Sequence, residues 1–141
     1  MDSVTLFEMA PRDGLQNEAK IIATADKITL INLLSACGLR NIEVASFVSP
    51  KWVPQMADSA EVLAGIKRTT GITYTALTPN MRGLKAALDA KADAVAIFAS
   101  ASEGCSQHNI NCAIKESLAR FAPMMPVIKE HGLPVRGYVS C

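Results

Sequence analysis

Apolar residues along this chain come in short β-rich runs separated by longer amphipathic stretches. The runs Val4–Met9, Asn41–Ala45, Thr73–Leu77, Ala94–Ala99 and Pro134–Val139 read as five strands. Between them, Thr24–Ala36, Ser59–Lys67, Met81–Lys91 and Ala113–His131 read as helices. In the first of these, Ile28, Leu30, Ile31, Leu33 and Leu34 supply an apolar face. Thr24 is expected as its N-cap with Asp26 in the first turn, and Gly38 as its stop. Gly71 and Gly132 are expected to end later helical stretches. Strands alternating with helices, without hairpin signals, predict an α/β fold with a parallel sheet in a single domain covering residues 1–141.

Two parallel architectures compete. A doubly wound dinucleotide-binding sheet would carry G-x-G-x-x-G at its first strand–helix turn, and none is present. In a (β/α)8 TIM barrel, chemistry gathers where strands end and loops begin. Arg12-Asp13, Glu43 to Lys51, Thr78 to Asn80 and Ser100 to Cys112 all occupy such positions, which favours the barrel and one shared rim. A complete barrel takes about 250 residues, whereas this chain has 141. The expectation is the N-terminal part of a TIM barrel, with about four βα units plus a fifth strand and the C-terminal half absent.

Composition narrows the function classes. Half of the residues are hydrophobic and the net charge is only +1, so a core is available and a dense basic face for nucleic acid is not. No apolar run approaches the roughly 18 residues of a membrane span. The first strand follows Met1-Asp2-Ser3 directly, so no signal or transit peptide is expected. Cys37, Cys105, Cys112 and Cys141 form no C-x-x-C pair or zinc spacing and are read as reduced thiols.

The most informative stretch is Pro11-Arg12-Asp13-Gly14-Leu15-Gln16-Asn17-Glu18. An Arg offers a planar fork to an oxyanion, and an adjacent Asp offers a hard oxygen to Mg²⁺ or Mn²⁺. Gly14 is expected to permit a turn that other residues would strain to adopt. The competing reading is an exposed Arg-Asp pair in an ordinary turn. Glu43 stands in an apolar strand, where a carboxylate is costly unless paired; its expected duty is to orient Arg12 or a metal-bound water, with a plain ion pair as the alternative. Gln16 and Asn109 are rim candidates for a substrate carboxylate or a long acyl carrier. Ser46, Lys51 and Lys20 are candidate donors that read equally well as solvated residues. Trp52 and Met56 read as packing residues. His131 reads as a helix C-terminal cap, His108 as a solvated loop residue, and Cys141 as a buried inert thiol.

The Arg-Asp-Gly-Leu-Gln stretch, the run Ser46-Phe47-Val48-Ser49-Pro50-Lys51-Trp52-Val53-Pro54-Gln55-Met56, Leu77-Thr78-Pro79-Asn80, Asn109-Ile110-Asn111-Cys112 and Val135 to Cys141 together resemble the 3-hydroxy-3-methylglutaryl-CoA lyases. These belong to a metal-dependent lyase and aldol-type synthase superfamily built on the TIM barrel. The resemblance runs from Val4 to Cys141, and the Ser46–Met56 run is its most specific part. It implies a carbon–carbon lyase of an acyl-CoA substrate that uses Mg²⁺ or Mn²⁺. Its implied catalytic residues are Arg12 and Glu43, with Asp13 as metal ligand and Arg12, Gln16, Ser46 and Asn109 as substrate contacts. It also favours a homodimer, without nucleic-acid or membrane partners, in a bacterial cytoplasm or a mitochondrial matrix. The family completes its metal site with a His-x-His motif and an Asn, and carries a catalytic Cys on a Gly-rich loop. Neither His108 nor His131 belongs to such a motif, Cys141 lies in a different part of the pattern, and Ala113 stands where the family often has Ser. Two rivals remain: a Claisen-type synthase acting on 2-isopropylmalate or homocitrate chemistry, and a non-catalytic half-barrel module.

Overall fold

Four of the five expected strands pair side by side in the computed structural model, which describes residues 2–140. They are β1 (Asn41–Ser46), β2 (Thr73–Leu77), β3 (Ala94–Ser100) and β4 (Val135–Ser140), all parallel and adjacent in chain order. Six α-helices lie around them among the described residues: α1 (Thr24–Ser35), α2 (Ser59–Gly65), α3 (Met81–Asp89), α4 (Glu103–Ile110), α5 (Ile114–Phe121) and α6 (Met124–Glu130). No helix is long and apolar enough to cross a membrane.

Local chemistry sets several boundaries. Asn80 caps α3 by accepting from the Gly83 N–H at 3.0 Å, and Ser102 caps α4 by accepting from the Cys105 N–H. Gly38 takes φ +79 after α1, the left-handed stop expected of it. Thr24, expected as a cap, is instead the first helical residue; its hydroxyl donates to Asp58 Oδ2 at 2.8 Å and Ala23 holds the cap position. Leu33 also departs from the expected apolar face and is largely exposed.

Two larger differences separate the structure from the sequence expectations. Val4–Met9 is not a strand. It pairs with β1 only at Glu8, whose N–H donates to Asn41 O and whose carbonyl accepts from the Glu43 N–H. Val4 and Leu6 remain exposed, so little apolar burial supports longer pairing. The expected helix 113–131 breaks into α5 and α6 at Ala122-Pro123. Proline has no N–H to continue the α5 ladder and clashes with the preceding turn, so the chain restarts at Met124. The 100–112 rim segment, expected as loop, contains α4.

The sheet has two chemically distinct faces. Ile42, Val44, Tyr74, Ala76 and Val95 pack with Ile31, Leu63, Leu84, Met124 and Ile128 of the helices into one apolar core. Full burial of each such aliphatic side chain is worth about 1.5–3 kcal/mol. On the other face, register aligns Glu43 with Thr75, Thr75 with Ala94, Ala96 with Arg136, and Phe98 with Tyr138. A register shift at Val44 gives β1 one extra residue between Glu43 and Ala45, which keeps Ser46 level with Leu77. The run Ala94–Ala99 is buried only through Ala96; Ile97, Phe98 and Ala99 are half-buried.

Candidate active site

The chain enters the site through a tight turn. Residues Ala10–Gly14 form a single wide helical turn in which Met9 O accepts from the N–H groups of Arg12, Asp13 and Gly14. Pro11 sits at the start of that turn, where its missing N–H costs nothing. Gly14 does not use its conformational freedom: its φ is not positive, and a Cβ there would meet Ala10 Cβ at an ordinary 3.7 Å. The expectation that this position requires glycine for its backbone is therefore corrected.

The turn drives Arg12 inward to 8% exposure. Its Nε donates to Glu43 Oε1 at 2.6 Å and its Nη1 to Asp13 Oδ1 at 2.9 Å. Glu43 is completely buried on β1. Its second oxygen, Oε2, accepts from the Tyr138 hydroxyl of β4 at 2.5 Å. Both oxygens of the buried carboxylate are thus satisfied by charge-assisted bonds, the condition under which such a charge is tolerated. Tyr138 also reaches Met9 Sδ at 3.6 Å. The Arg136 guanidinium lies 3.9 Å from the centre of the Phe7 ring and 5.3 Å from that of Tyr138, close enough for cation–π attraction.

The Tyr138 hydroxyl is held protonated. Burial, the hydrogen bond to Glu43 and the Glu43 charge push its pKa up to about 12, while the positive charges of Arg136 and Arg12 pull the other way. Asp13 differs in kind from Glu43. Its side chain is 60% exposed and only Oδ1 is engaged, which leaves Oδ2 available as a hard oxygen donor.

The remaining sequence candidates scatter. Gln16 is half-buried, and its Oε1 is buried with no hydrogen-bond partner. It borders an open cleft of about 340 Å³ shared with Asn17, Trp52, Val53 and Pro54. Ser46 is sealed at 0% exposure with its hydroxyl unpartnered. Asn109, exposed on α4, donates to Cys105 Sγ within its own helix rather than to the Arg12–Glu43 group. Lys20 and Lys51 are exposed. Trp52, expected to pack, is 83% exposed, while Met56 is buried as expected. His131 Nδ1 bonds Val127 O at 2.9 Å and closes α6 as expected. His108 is exposed, but in the last turn of α4 rather than in a loop. Cys37, Cys105 and Cys112 are free thiols; Cys141 lies outside the described residues. Val48 after β1, Pro79 and Asn80 after β2, and Ile110 at the end of α4 border one cavity of about 140 Å³, which Arg12, Asp13 and Glu43 do not line.

The HMGL-like family profile matches residues 3–141. The chain belongs to the HMGL-like family. It is 59% identical over 138 residues to the 3-hydroxy-3-isohexenylglutaryl-CoA/hydroxy-methylglutaryl-CoA lyase of Pseudomonas aeruginosa, covering 98% of this chain and 46% of that protein. It is 56% identical to the cytoplasmic 3-hydroxy-3-methylglutaryl-CoA lyase of Danio rerio, covering 98% of this chain and 41% of that one. The HMG-CoA lyase crystal structure from Brucella melitensis superposes with a TM-score of 0.97 at 57% identity, over 100% of this chain and 50% of that one. The chain therefore spans half or less of the length of these relatives, and its sheet and helices correspond to the N-terminal part of a TIM barrel.

Sequence reasoning missed Tyr138. The available signal was the placement of Arg136 and Tyr138 two residues apart, hence on one face of a strand. That face is the one Glu43 also occupies.

Proposed function

We propose that this chain works as the N-terminal half of an enzyme that cleaves 3-hydroxy-3-methylglutaryl-CoA into acetyl-CoA and acetoacetate. The observation that carries the reading is the buried Arg12–Glu43 pair beside an exposed Asp13, in a chain of this family. Cleavage begins with removal of the C3 hydroxyl proton by a base. The C2–C3 bond then breaks: its electron pair passes to the thioester as an enolate, and C3 becomes the ketone of acetoacetate. Protonation of the enolate carbon gives acetyl-CoA. Arg12, its Nε and Nη1 each holding one carboxylate, retains further N–H groups for the developing oxyanion. A preorganised donor of this kind is typically worth about 3–4 kcal/mol in the transition state.

Glu43 acts by holding Arg12, because both its oxygens are already engaged, and Tyr138 in turn holds Glu43. Enzymes of this family generally depend on a divalent metal. Among the described residues no three His, Cys, Asp or Glu side chains are grouped to share an ion. Asp13 fits one ligand position and no more, so its partners would come from the other half of the barrel. Bound Mg²⁺ or Mn²⁺ would supply positive charge to substrate oxygens. Gln16 and Asn109 are the proposed substrate contacts, Gln16 having the best support because it borders an open cleft. Ser46, fully buried, would reach a substrate only if the structure opened around it. Residues 1–141 are read as a single partial-barrel unit. The reading includes an acyl-CoA partner and a homodimer, without nucleic acid or membrane. It places the enzyme in a bacterial cytoplasm or a mitochondrial matrix.

The test is a metal-supplemented lyase assay on the full-length protein with methylglutaryl and isohexenylglutaryl thioesters, run beside an acetyl-CoA condensation assay. Release of acetyl-CoA supports the reading. Condensation without cleavage would transfer the chain to the synthase side of the superfamily, and neither activity would favour the non-catalytic module.

A further inference from the structure

We infer that Gln55 is a positioning residue for substrate binding: its side-chain amide clamps the segment that carries Gln16 against the turn that follows β1. Gln55 lies in the short helical turn Pro54–Met56 and is 3% exposed. Its Oε1 accepts from the Ile22 N–H at 2.9 Å, and its Nε2 donates to Lys20 O at 2.9 Å and more weakly to Glu18 O at 3.4 Å. One buried amide thus fastens three backbone groups of a segment that belongs to no helix or strand. Only a side chain offering both an acceptor and donors can do this.

The fastening continues to either side. Towards the catalytic turn, Asn17 Nδ2 donates to Asp13 O at 2.9 Å, the Asn17 N–H to Gly14 O at 3.3 Å, and the Glu18 N–H to Leu15 O at 3.0 Å. Towards α1, the buried Lys27 ammonium bonds the Gln55 carbonyl and pairs with Asp58 at 2.7 Å. Gln16 therefore sits between two anchored points, and one wall of its cleft is the same turn that supplies the clamp. Arg12 is held independently by Glu43. Loosening Gln55 should consequently disturb substrate affinity through Gln16 and leave the transition-state contact of Arg12 in place.

This inference rests on the lyase reading, so the experiment separates the two. In the full-length protein, Gln55→Met removes all three bonds at similar volume, whereas Gln55→Glu keeps the acceptor for Ile22 and loses the donors. With Gln55→Met, amide exchange at Ile22 should accelerate at least about tenfold, the scale of losing a buried hydrogen bond. KM for 3-hydroxy-3-methylglutaryl-CoA should rise about tenfold with kcat within about threefold. Gln55→Glu, whose buried carboxylate would face Lys20 O and Glu18 O, should loosen the segment and raise KM at least as far as Gln55→Met. Gln55→Asn, which keeps the amide but shortens its reach, should fall between wild type and Gln55→Met, and it decides the matter if Gln55→Met does not fold. A lowered kcat with unchanged KM is the mark of a smaller active fraction and would overturn the proposal, as would unchanged KM beside fast exchange. If the wild-type protein cleaves nothing, the lyase reading fails by itself. Calorimetric binding of the same thioester then decides the clamp: about tenfold weaker binding by Gln55→Met upholds it, and unchanged or absent binding overturns it.

Discussion

Strands β1 and β4 have six residues each and lie in one parallel sheet, yet their surroundings are opposite. β1 is buried from Ile42 to Ser46, covered by α1, α2 and the Ala10–Gly14 turn, whereas five of the six β4 residues are exposed. The difference does not follow from strand length or pairing, since β3 pairs with β4 over six residues. It follows from what lies on the far side. β1 has the N-terminal segment beside it and helices behind it; β4 has nothing beyond its outer edge among the described residues. The Arg12–Glu43–Tyr138 group bridges the two, because Glu43 comes from the covered strand and Tyr138 from the bare one. Arg12 and Glu43 thus pair at the covered end of the sheet, while the hydroxyl that satisfies the second Glu43 oxygen stands on the strand where cover is lacking.

The largest effect is expected on the covered side. Arg12→Gln should lower kcat of the full-length protein by about a hundredfold or more, with a smaller change in KM. It also leaves Glu43 buried without its cation, so thermal unfolding should shift downward, a broken buried pair typically costing about 3–5 kcal/mol. Near-normal kcat would return Arg12 to a structural ion pair. Next in size is Asp13→Asn, which keeps shape and removes a ligand charge at an exposed position. The concentration of Mg²⁺ or Mn²⁺ needed for half-maximal activity should rise at least about tenfold. A metal titration indistinguishable from wild type would place Asp13 outside the coordination sphere.

How much of this was legible in the sequence also divides along the same line. β1, β2, β3 and β4 fell within a residue or two of their apolar runs, because short β-rich runs alternating with helical stretches mark the strands of a parallel sheet. Glu43 was readable as a paired charge from its apolar context alone. Val4–Met9 looked equally strand-like, but strand formation depends on a partner edge and on burial, and neither is encoded in the run itself. Helical periodicity continued through Pro123 although the backbone cannot. Tyr138 and Gln55 escaped notice because their roles are tertiary: one acts across the sheet on a residue 95 positions away, the other on a loop 33 positions earlier. Trp52 was misjudged for the converse reason, since aromatic character predicts burial on average and not at a given loop position.

The third prediction titrates the bridge. The Tyr138 pKa in the folded protein is raised from 10.0 to about 12, so the fold disfavours the phenolate. The native state then keeps its proton over a range where the unfolded chain loses it. The contribution of Tyr138 to stability should be intact below pH 10 and decline between pH 10 and about 12. Phenolate absorbance, taken as the difference between wild type and Tyr138→Phe, should show this late titration. Glu43→Gln should bring it to lower pH by removing the carboxylate charge. A Tyr138 titration unmoved by Glu43→Gln would mean that the hydroxyl is not bonded to Glu43.

The smallest effect is expected on the bare strand. Val139 is 72% exposed and Val135 is 45% exposed, so replacing either contributes little to the packing of residues 1–141 themselves. Exposed substitutions away from special features usually stay within about 0.5 kcal/mol. The same residues flank an unpaired parallel edge, which is a template for adding another strand. The polypeptide 1–141 should therefore self-associate, as measured by sedimentation, and supplying the C-terminal half should suppress this by covering β4. Val139→Lys should reduce self-association while leaving the unfolding midpoint of the remaining soluble chain almost unchanged, because a lysine opposes edge pairing without touching the core. If Val139→Lys instead destabilises the chain by several kcal/mol, β4 is covered in solution and the contrast between the two strands fails. If 1–141 is a cooperatively unfolding monomer, the bare edge is tolerated, and the half-barrel stands as a module in its own right.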